Sequence, residues 1–253
     1  MKTTAIIIGV LISLSLQSQN YDSMGPFGAI GAEYSIVKKG GQTGLIDKNG
    51  KEIVKPKYDE IRAYGSYGIE WALVTKNGLQ GFIDKNGKEI VEPKYDEIRA
   101  FGPFGVGWAL VIKDGLQGFI DKKGKEIVPT EFESIDAFGN IKEDWALVEK
   151  NGLLGFINMQ GDIIVKPKYN EIRAFRTHGV DLSLVVKNGL QGFINKKGKE
   201  VVEPVYDEIQ AFGVYGENIA LVIEDGLYGF IDENGKEIVK PLYEKIPKIK
   251  LKN

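Results

Sequence analysis

The chain has 253 residues, of which 27% are charged and 43% hydrophobic, with a net charge of −2 and no cysteine. These values exclude a disordered chain with excess charge and a protein dominated by membrane-spanning segments. They argue against nucleic-acid binding through a generally basic surface. The lack of cysteine excludes disulfides, thiolate metal ligands and thiol nucleophiles.

The first segment, residues 1–18, predicts a secretory signal peptide. Lys2 supplies a positive charge, and residues 5–16 form the apolar stretch AIIIGVLISLSL. A transmembrane helix needs about 20 residues, so this stretch is too short to span a membrane but suits the apolar part of a signal. Cleavage after the small residue Ser18 would leave Gln19 first and make the protein secreted or periplasmic. A buried N-terminal strand or helix is the alternative, and no later segment predicts a membrane span.

The remaining residues, 19–253, form a single repeat domain with a period of 37 residues. The repeated anchor is Gly, then an aromatic residue or Leu, then Ile and an acid or amide. Its glycines are Gly44, Gly81, Gly118, Gly155, Gly192 and Gly229. A second column on the same period holds Tyr21, Tyr58, Tyr95, Phe132, Tyr169, Tyr206 and Tyr243. The chain therefore contains six repeats and the beginning of a seventh.

Each repeat predicts four short antiparallel strands joined as a meander. In the second repeat the predicted strands are residues 71–76, 79–84, 88–91 and 95–101. Asn77-Gly78 is typical of a two-residue hairpin turn, and Pro93 is expected to interrupt the sheet because it cannot donate a ladder hydrogen bond. The fold class is all-β.

The first predicted strand is apolar on both faces. Trp71 and Leu73 point to one side, and Ala72 and Val74 to the other. A sheet with one solvated face would alternate apolar and polar residues, so we expect each sheet to be covered on both sides. The strand tryptophans, Trp71 with Trp108 and Trp145, are interpreted as core residues.

Six four-stranded repeats favour a six-bladed β-propeller-like ring. The alternative is an open β-repeat array with degenerate end caps. Residues 21–27 and 243–249 are the candidates for such caps, because each is a partial fourth-strand copy that contains proline.

The run at residues 76–98, Lys-Asn-Gly-Leu-Gln-Gly-Phe-Ile-Asp followed by Lys-Asn-Gly-Lys-Glu-Ile-Val-Glu-Pro-Lys-Tyr-Asp-Glu-Ile, resembles the bacterial WG-repeat family. The family has Trp before the anchor glycine. This chain departs from it with Thr43, Gln80, Gln117, Leu154, Gln191 and Tyr228. The resemblance implies a secreted or envelope β-repeat protein and supplies no catalytic residues.

Catalytic candidates must be departures from the repeat, because residues present in every copy are most simply structural. The single histidine, His178, lies near Asp181, which is placed to orient it, and the third repeat adds Glu133 and Asp136. These residues would serve a glycan-active enzyme, the alternative to a non-catalytic protein. The turn at residues 84–87 lacks the ligands of a calcium loop, and no metal or cofactor is predicted.

The best binding candidates lie in the variable loop expected between the fourth strand of one repeat and the first strand of the next. One position of this loop holds Tyr67, Phe104, Ile141, His178 and Tyr215. A row of such tips would bind a protein or stack on sugar rings of the cell envelope, or would simply pack locally. The sequence therefore predicts a protein- or glycan-binding scaffold, with a purely structural module as a further alternative.

Overall fold

The structure, a computed structural model, describes residues 20–104 and 107–246. The predicted signal peptide lies outside these residues, as do residues 105–106 and 247–253. The described residues form 24 strands arranged in six four-stranded antiparallel sheets, without a helix among them. The chain divides into two compact units, residues 1–95 with the first two sheets and residues 96–253 with the other four.

The sheets follow one another along the chain, and each uses four consecutive strands. In the first unit they are β1 (Ser23–Met24), β2 (Tyr34–Lys39), β3 (Gln42–Asp47) and β4 (Glu52–Tyr58), then β5 (Glu60–Ile61), β6 (Ala72–Lys76), β7 (Leu79–Ile83) and β8 (Glu89–Tyr95). The third and fourth sheets are β9 (Glu97–Ile98), β10 (Ala109–Lys113), β11 (Leu116–Ile120) and β12 (Glu126–Phe132), then β13 (Ser134–Ile135), β14 (Trp145–Lys150), β15 (Leu153–Asn158) and β16 (Ile163–Tyr169). The last two are β17 (Glu171–Ile172), β18 (Leu182–Lys187), β19 (Leu190–Asn195) and β20 (Glu200–Tyr206), then β21 (Glu208–Ile209), β22 (Ile219–Glu224), β23 (Leu227–Asp232) and β24 (Glu237–Tyr243).

The prediction of six four-stranded repeats is confirmed, but two predicted strands of the second repeat have wrong bounds. The third strand does not stop before Pro93; β8 continues through it to Tyr95. The register shifts there, so that Phe82 faces Val91 while Gln80 faces Tyr95. A bulge of this kind leaves residues outside the ladder, and a proline without an N–H is tolerated in it.

The predicted fourth strand, residues 95–101, is only the two-residue β9. It pairs with β10 and so begins the third sheet instead of completing the second. Likewise β5 begins the second sheet by pairing with β6. The order within every sheet is therefore one two-residue strand followed by three longer ones, and the structural repeat begins after the aromatic column.

The anchor glycines allow the bulged strand to approach closely. A Cβ on Gly81 would lie 2.4 Å from the Val91 carbonyl oxygen and 2.7 Å from the Pro93 nitrogen. The equivalent Cβ-to-carbonyl distances are 2.5 Å at Gly44, 2.5 Å at Gly118, 2.4 Å at Gly155, 2.5 Å at Gly192 and 2.7 Å at Gly229. A side chain at this column would collide with backbone, which explains why all six repeats have glycine.

Buried layers fill the space between consecutive sheets within each unit, as the two apolar strand faces predicted. The layer of the first unit joins Leu45, Val54 and Tyr58 of one sheet to Ile61, Ala72, Val74 and Ile83 of the next. Between the third and fourth sheets the corresponding residues are Leu110, Phe119, Val128, Phe132, Ile135, Ala146, Val148 and Ile157. Trp145 is buried, and Trp71 and Trp108 are half-buried with their rings 5.7 and 5.6 Å from the buried Phe82 and Phe119.

A polar clasp also joins consecutive sheets. The Tyr58 hydroxyl donates to Glu89 Oε1 at 2.6 Å, and Lys57 Nζ lies 2.7 Å from the same oxygen. Burial raises the pKa of Tyr58, whereas the hydrogen bonds from Lys57 and Tyr58 lower the pKa of Glu89. The tyrosine-to-glutamate bond joins consecutive sheets again at Tyr169–Glu200 and Tyr206–Glu237, and Tyr21, just before β1, donates to Glu52 of the first sheet.

Candidate functional site: the variable loops

The variable loops lie within sheets and not between them. Each one connects the two-residue first strand of a sheet to its second strand, because the short strand pairs within the sheet that it begins and not within the preceding sheet. Their described residues are 25–33, 62–71, 99–104 with 107–108, 136–144, 173–181 and 210–218. The predicted place between repeats is therefore wrong, although the predicted tip residues do lie in these loops.

The predicted tip residues are anchors packed on the core of their own sheet. The ring of Tyr67 meets the buried Phe82 edge to face, with 5.7 Å between centroids. The same contact occurs at 5.3 Å for Phe104–Phe119, 5.6 Å for His178–Phe193 and 5.6 Å for Tyr215–Phe230. Ile141 packs against the layer that contains Phe156. All five tips are half-buried, so they fix each loop at the same place on its sheet.

Sequence reasoning missed the sixth member of this column, Ile30, which stands 37 residues before Tyr67. Ile30 is buried in the layer with Leu45 and Tyr58, and its carbonyl accepts a hydrogen bond from the Tyr64 N–H at 3.0 Å. The His178 carbonyl accepts in the same way from the Phe212 N–H at 2.9 Å. The tip is thus tied to the loop of the next sheet, and the 37-residue period alone would have found Ile30.

His178 is half-buried, and its ring packs on Phe193. Burial lowers the pKa of His178, and the positive charge of Arg173 acts in the same direction. Its Nδ1 lies 3.2 Å from the Thr177 hydroxyl. The expected orienting residue, Asp181, instead pairs with Arg176 and with Lys196, the latter at 2.8 Å, and these bonds lower the pKa of the Asp181 carboxyl. The expected His–Asp pair is therefore replaced by an ion pair between Asp181 and two cations.

Of the two acidic departures of the third repeat, only Glu133 has a structural contact of its carboxylate among the described residues. The two carboxylate oxygens of Glu133 accept the N–H groups of Asn151 and Gly152, each at 3.0 Å, and so close the hairpin turn. Asp59 holds the N–H of Gly78 in the same way in the first unit. Asp136 donates its backbone N–H to the Leu147 carbonyl, as its equivalents do. Among the described residues, no group of three potential metal ligands occurs.

The exposed side chains of the variable loops differ from sheet to sheet. Glu70 is exposed and lies 3.0 Å from Lys85. The loop of the fourth sheet exposes Glu143, and that of the sixth exposes Val214 and Glu217. The loop surfaces therefore differ in charge and polarity, although the anchors beneath them are equivalent.

The model of the WG containing repeat matches residues 44–79, 81–116, 118–153, 155–190, 192–228 and 228–249. The chain belongs to the WG-repeat family. This confirms the resemblance seen at residues 76–98. Each of the first five WG matches begins at an anchor glycine, and the last begins just before Gly229. The family repeat therefore begins at the anchor glycine, the residue that the bulged strand approaches closely.

Solved structures resemble the WG repeats only distantly. PorZ, a surface component of the type-IX secretion system of Porphyromonas gingivalis, is 9% identical with a TM-score of 0.28; the match covers 88% of this chain and 38% of PorZ. Hsv2p of Kluyveromyces lactis is 13% identical with a TM-score of 0.26, covering 87% and 78% of the two chains. The WD40 β-propeller domain of Doa1 is 11% identical with a TM-score of 0.26, covering 87% and 82%. No curated protein matches the sequence.

No helix long and apolar enough to cross a membrane occurs in the part of the WG-repeat chain that the structure describes.

Proposed function

We propose that the chain is a non-catalytic, secreted or periplasmic scaffold that binds a partner protein through the exposed faces of its variable loops. The observation that carries this proposal is the contrast within each loop. The tip is fixed on an equivalent core position in every repeat, whereas the exposed residues differ. A rigid frame that carries different loops is a common arrangement for recognition.

The exposed chemistry favours a protein partner over a glycan. The rings expected to stack on sugars are half-buried against core phenylalanines and serve as anchors. The exposed side chains are charged or aliphatic, as at Glu143, Val214 and Glu217. Mixed charged and apolar residues are the composition of a protein interface with a polar rim.

The non-catalytic part of the proposal is supported by the partners of the catalytic candidates. Glu133 closes a turn through two backbone N–H groups, and His178 packs on Phe193. A general base needs an orienting partner and a substrate proton within reach, whereas Asp181 is paired with two cations. A glycan-active enzyme would lose its activity in Glu133→Gln or His178→Phe.

Secretion rests on residues 1–18. Expression of the full chain in a bacterial host, followed by cell fractionation and mass measurement, tests it. The expected product lies outside the cytoplasm and begins at Gln19. Cytoplasmic protein that retains residues 1–18 would contradict the signal-peptide proposal.

The binding proposal is tested with a variant that carries Glu143→Lys, Val214→Ser and Glu217→Lys. These residues are exposed, so the variant is expected to fold. The matched control carries Glu92→Lys and Glu203→Lys in β8 and β20, with the same charge change, and both residues are also exposed. Captured envelope proteins are identified by quantitative mass spectrometry, and a glycan panel is probed in parallel.

A partner retained by the wild type and the control, but lost by the loop variant, would support the proposal. Equal capture by all three would contradict the loop assignment. Glycan binding lost in the loop variant, without any protein partner, would replace the protein with a glycan.

A further inference from the structure

A groove recurs beside the aromatic-column residue that precedes the first strand of a sheet. In the first repeat it is lined by Tyr21, Lys39, Gln42, Glu52, Lys55 and Pro56, and the Tyr21 hydroxyl donates to Glu52 at 3.0 Å. Three repeats later the equivalent positions hold Phe132, Lys150, Leu153, Ile163, Lys166 and Pro167, with Glu131 and Asn151 beside them. This groove, which we call the Phe132 groove, has a volume of about 330 Å³.

The Phe132 groove has lost both members of the polar clasp. Phe132 has no hydroxyl, and Ile163 occupies the position of Glu52 and Glu89. Phe132 is 1% exposed and forms the floor, whereas Ile163 is 47% exposed at the rim. The double replacement therefore removes an internal hydrogen bond and presents apolar surface to solvent.

Two carboxylates stand here at positions where other repeats hold lysine, three repeats at the first position and five at the second. Glu131 stands at the position of Lys57, and Asp162 at the position of Lys88. Glu131 accepts from Lys150 at 2.8 Å, and Asp162 accepts from Asn158 at 3.2 Å. Lys166 is the other cation of the lining. Compared with the other grooves, this one repels an incoming lysine less.

A second departure lies at the end of the last sheet. Leu242, at a position that holds lysine in three other repeats, is 69% exposed. Tyr243 and Ile246 are 50% and 45% exposed, whereas their equivalents Tyr206 and Ile209 are 4% and 3% exposed.

The sequence after Tyr243 alternates lysine with apolar residues, and part of it lies beyond the described residues. Lysine recurs together with large aliphatic residues, as Lys245, Lys248, Lys250 and Lys252 interspersed with Ile246, Ile249 and Leu251. Residues 242–252, which we call the C-terminal segment, therefore combine large apolar side chains with lysine.

We propose that the C-terminal segment of one copy binds the Phe132 groove of a second copy. Apolar side chains of the segment cover Ile163 and Leu153 above the buried Phe132, and its lysines approach Glu131 and Asp162. The other grooves hold tyrosine and glutamate in place of Phe132 and Ile163, and lysine in place of Asp162, so they disfavour the same segment. The contact is heterologous, because segment and groove are different surfaces; copies therefore add head to tail.

The test measures self-association of residues 19–253 by sedimentation velocity between about 1 and 500 μM. This range is chosen because an interface formed by one short segment is small, and small interfaces are typically weak. The groove variant carries Glu131→Lys, Phe132→Tyr and Ile163→Glu. The segment variant carries Leu242→Lys and lacks residues 247–253. Every introduced residue is one that other repeats hold at that position, so both variants are expected to fold like the parent.

The wild type is expected to associate with rising concentration, and each variant alone at least about tenfold more weakly. An equimolar mixture of the two variants is expected to form a 1:1 dimer and nothing larger, because it contains one intact groove and one intact segment. A wild type that remains monomeric would overturn the proposal. So would variants that associate like the wild type, or a mixture that does not pair.

Discussion

Replacing the anchor glycine Gly81 by alanine should destabilise the second sheet strongly. The new Cβ would lie 2.4 Å from the Val91 carbonyl oxygen and 2.7 Å from the Pro93 nitrogen. Both atoms belong to the backbone of β8, so no side-chain rotation relieves the contact. Relief requires the two strands to separate, which disrupts the ladder beside the bulge.

The magnitude follows from the cost of overpacking. Inserting a methyl group into a well-packed site costs about 1–3 kcal/mol, and more where the neighbours cannot move. We expect about 3 kcal/mol or more for Gly81→Ala. The control is Gly78→Ala, in the hairpin turn just before β7. Gly78 has φ +79° and nothing within 4 Å of its Cβ position. Alanine there costs only the strain of the left-handed backbone conformation, about 1 kcal/mol.

The assay is urea unfolding followed by tryptophan fluorescence. Trp71 reports on this sheet, because its ring lies 5.7 Å from that of Phe82. The two variants should differ by about 2 kcal/mol in free energy of unfolding. Equal midpoints and slopes for Gly81→Ala and Gly78→Ala would refute the reasoning, because they would show that β8 moves aside freely.

Four further outcomes are expected. Tyr58→Phe should lower the free energy of unfolding, measured in urea, by about 1–2 kcal/mol, because the hydrogen bond to Glu89 is lost. Phe132→Tyr should not raise it, because Ile163 stands where the accepting carboxylate would be. Because the pKa of Glu89 is lowered in the folded chain, Glu89 stabilises the fold above the ordinary glutamate pKa of about 4.3, and this stabilisation is lost as the pH falls through the lower folded pKa. Glu89→Gln should therefore flatten the acid limb of the plot of stability against pH. An unchanged acid limb would count against the clasp. His178→Phe should preserve stability at pH 7 while His178→Ala lowers it by at least about 1 kcal/mol in thermal melts, because the ring packs on Phe193; equal melts would exclude an anchoring role. A compact ring of about 235 residues predicts a radius of gyration of about 17–18 Å by X-ray scattering, and a clearly larger value would favour the open array.

Features that depend on local sequence were predicted well. The 37-residue period predicted the number of sheets, and Asn77-Gly78 predicted a turn in which both residues have positive φ, 52° and 79°. The alternation at residues 71–74 indicated two apolar faces; Ala72 and Val74 lie in a buried layer, and Leu73 is buried as well. These signals lie within a few residues of the structure they specify, so one copy of the repeat suffices to recognise them.

Features that depend on pairing between distant residues were missed. Proline in a strand normally predicts a break, but at Pro93 the opposing Gly81 leaves room for a bulge. The strand containing Ile98 was assigned to the sheet before it, because adjacency in sequence does not reveal that its partner is Val111. This single pairing also decides that the variable loops lie within sheets.

The Tyr–Glu clasp was missed for the same reason, since its members are 31 residues apart. The repeats did contain the signal. Five repeats hold tyrosine and glutamate at this spacing, and the one with Phe132 holds Ile163. Comparing pairs of columns, instead of single columns, would have indicated the contact.

The coupled replacement at the Phe132 groove is best explained by charge and hydrogen bonding together. In the second repeat Glu89 is held by a lysine at 2.7 Å and a tyrosine hydroxyl at 2.6 Å. With Glu131 in place of that lysine, and no hydroxyl on Phe132, a glutamate at position 163 would face a like charge and lack its hydrogen bond. Both effects disfavour a partly buried carboxylate, so an apolar residue becomes the better choice. The single substitution Ile163→Glu should therefore destabilise the chain, whereas combining it with Glu131→Lys and Phe132→Tyr should not; equal stabilities of the two variants would show that the three positions are independent.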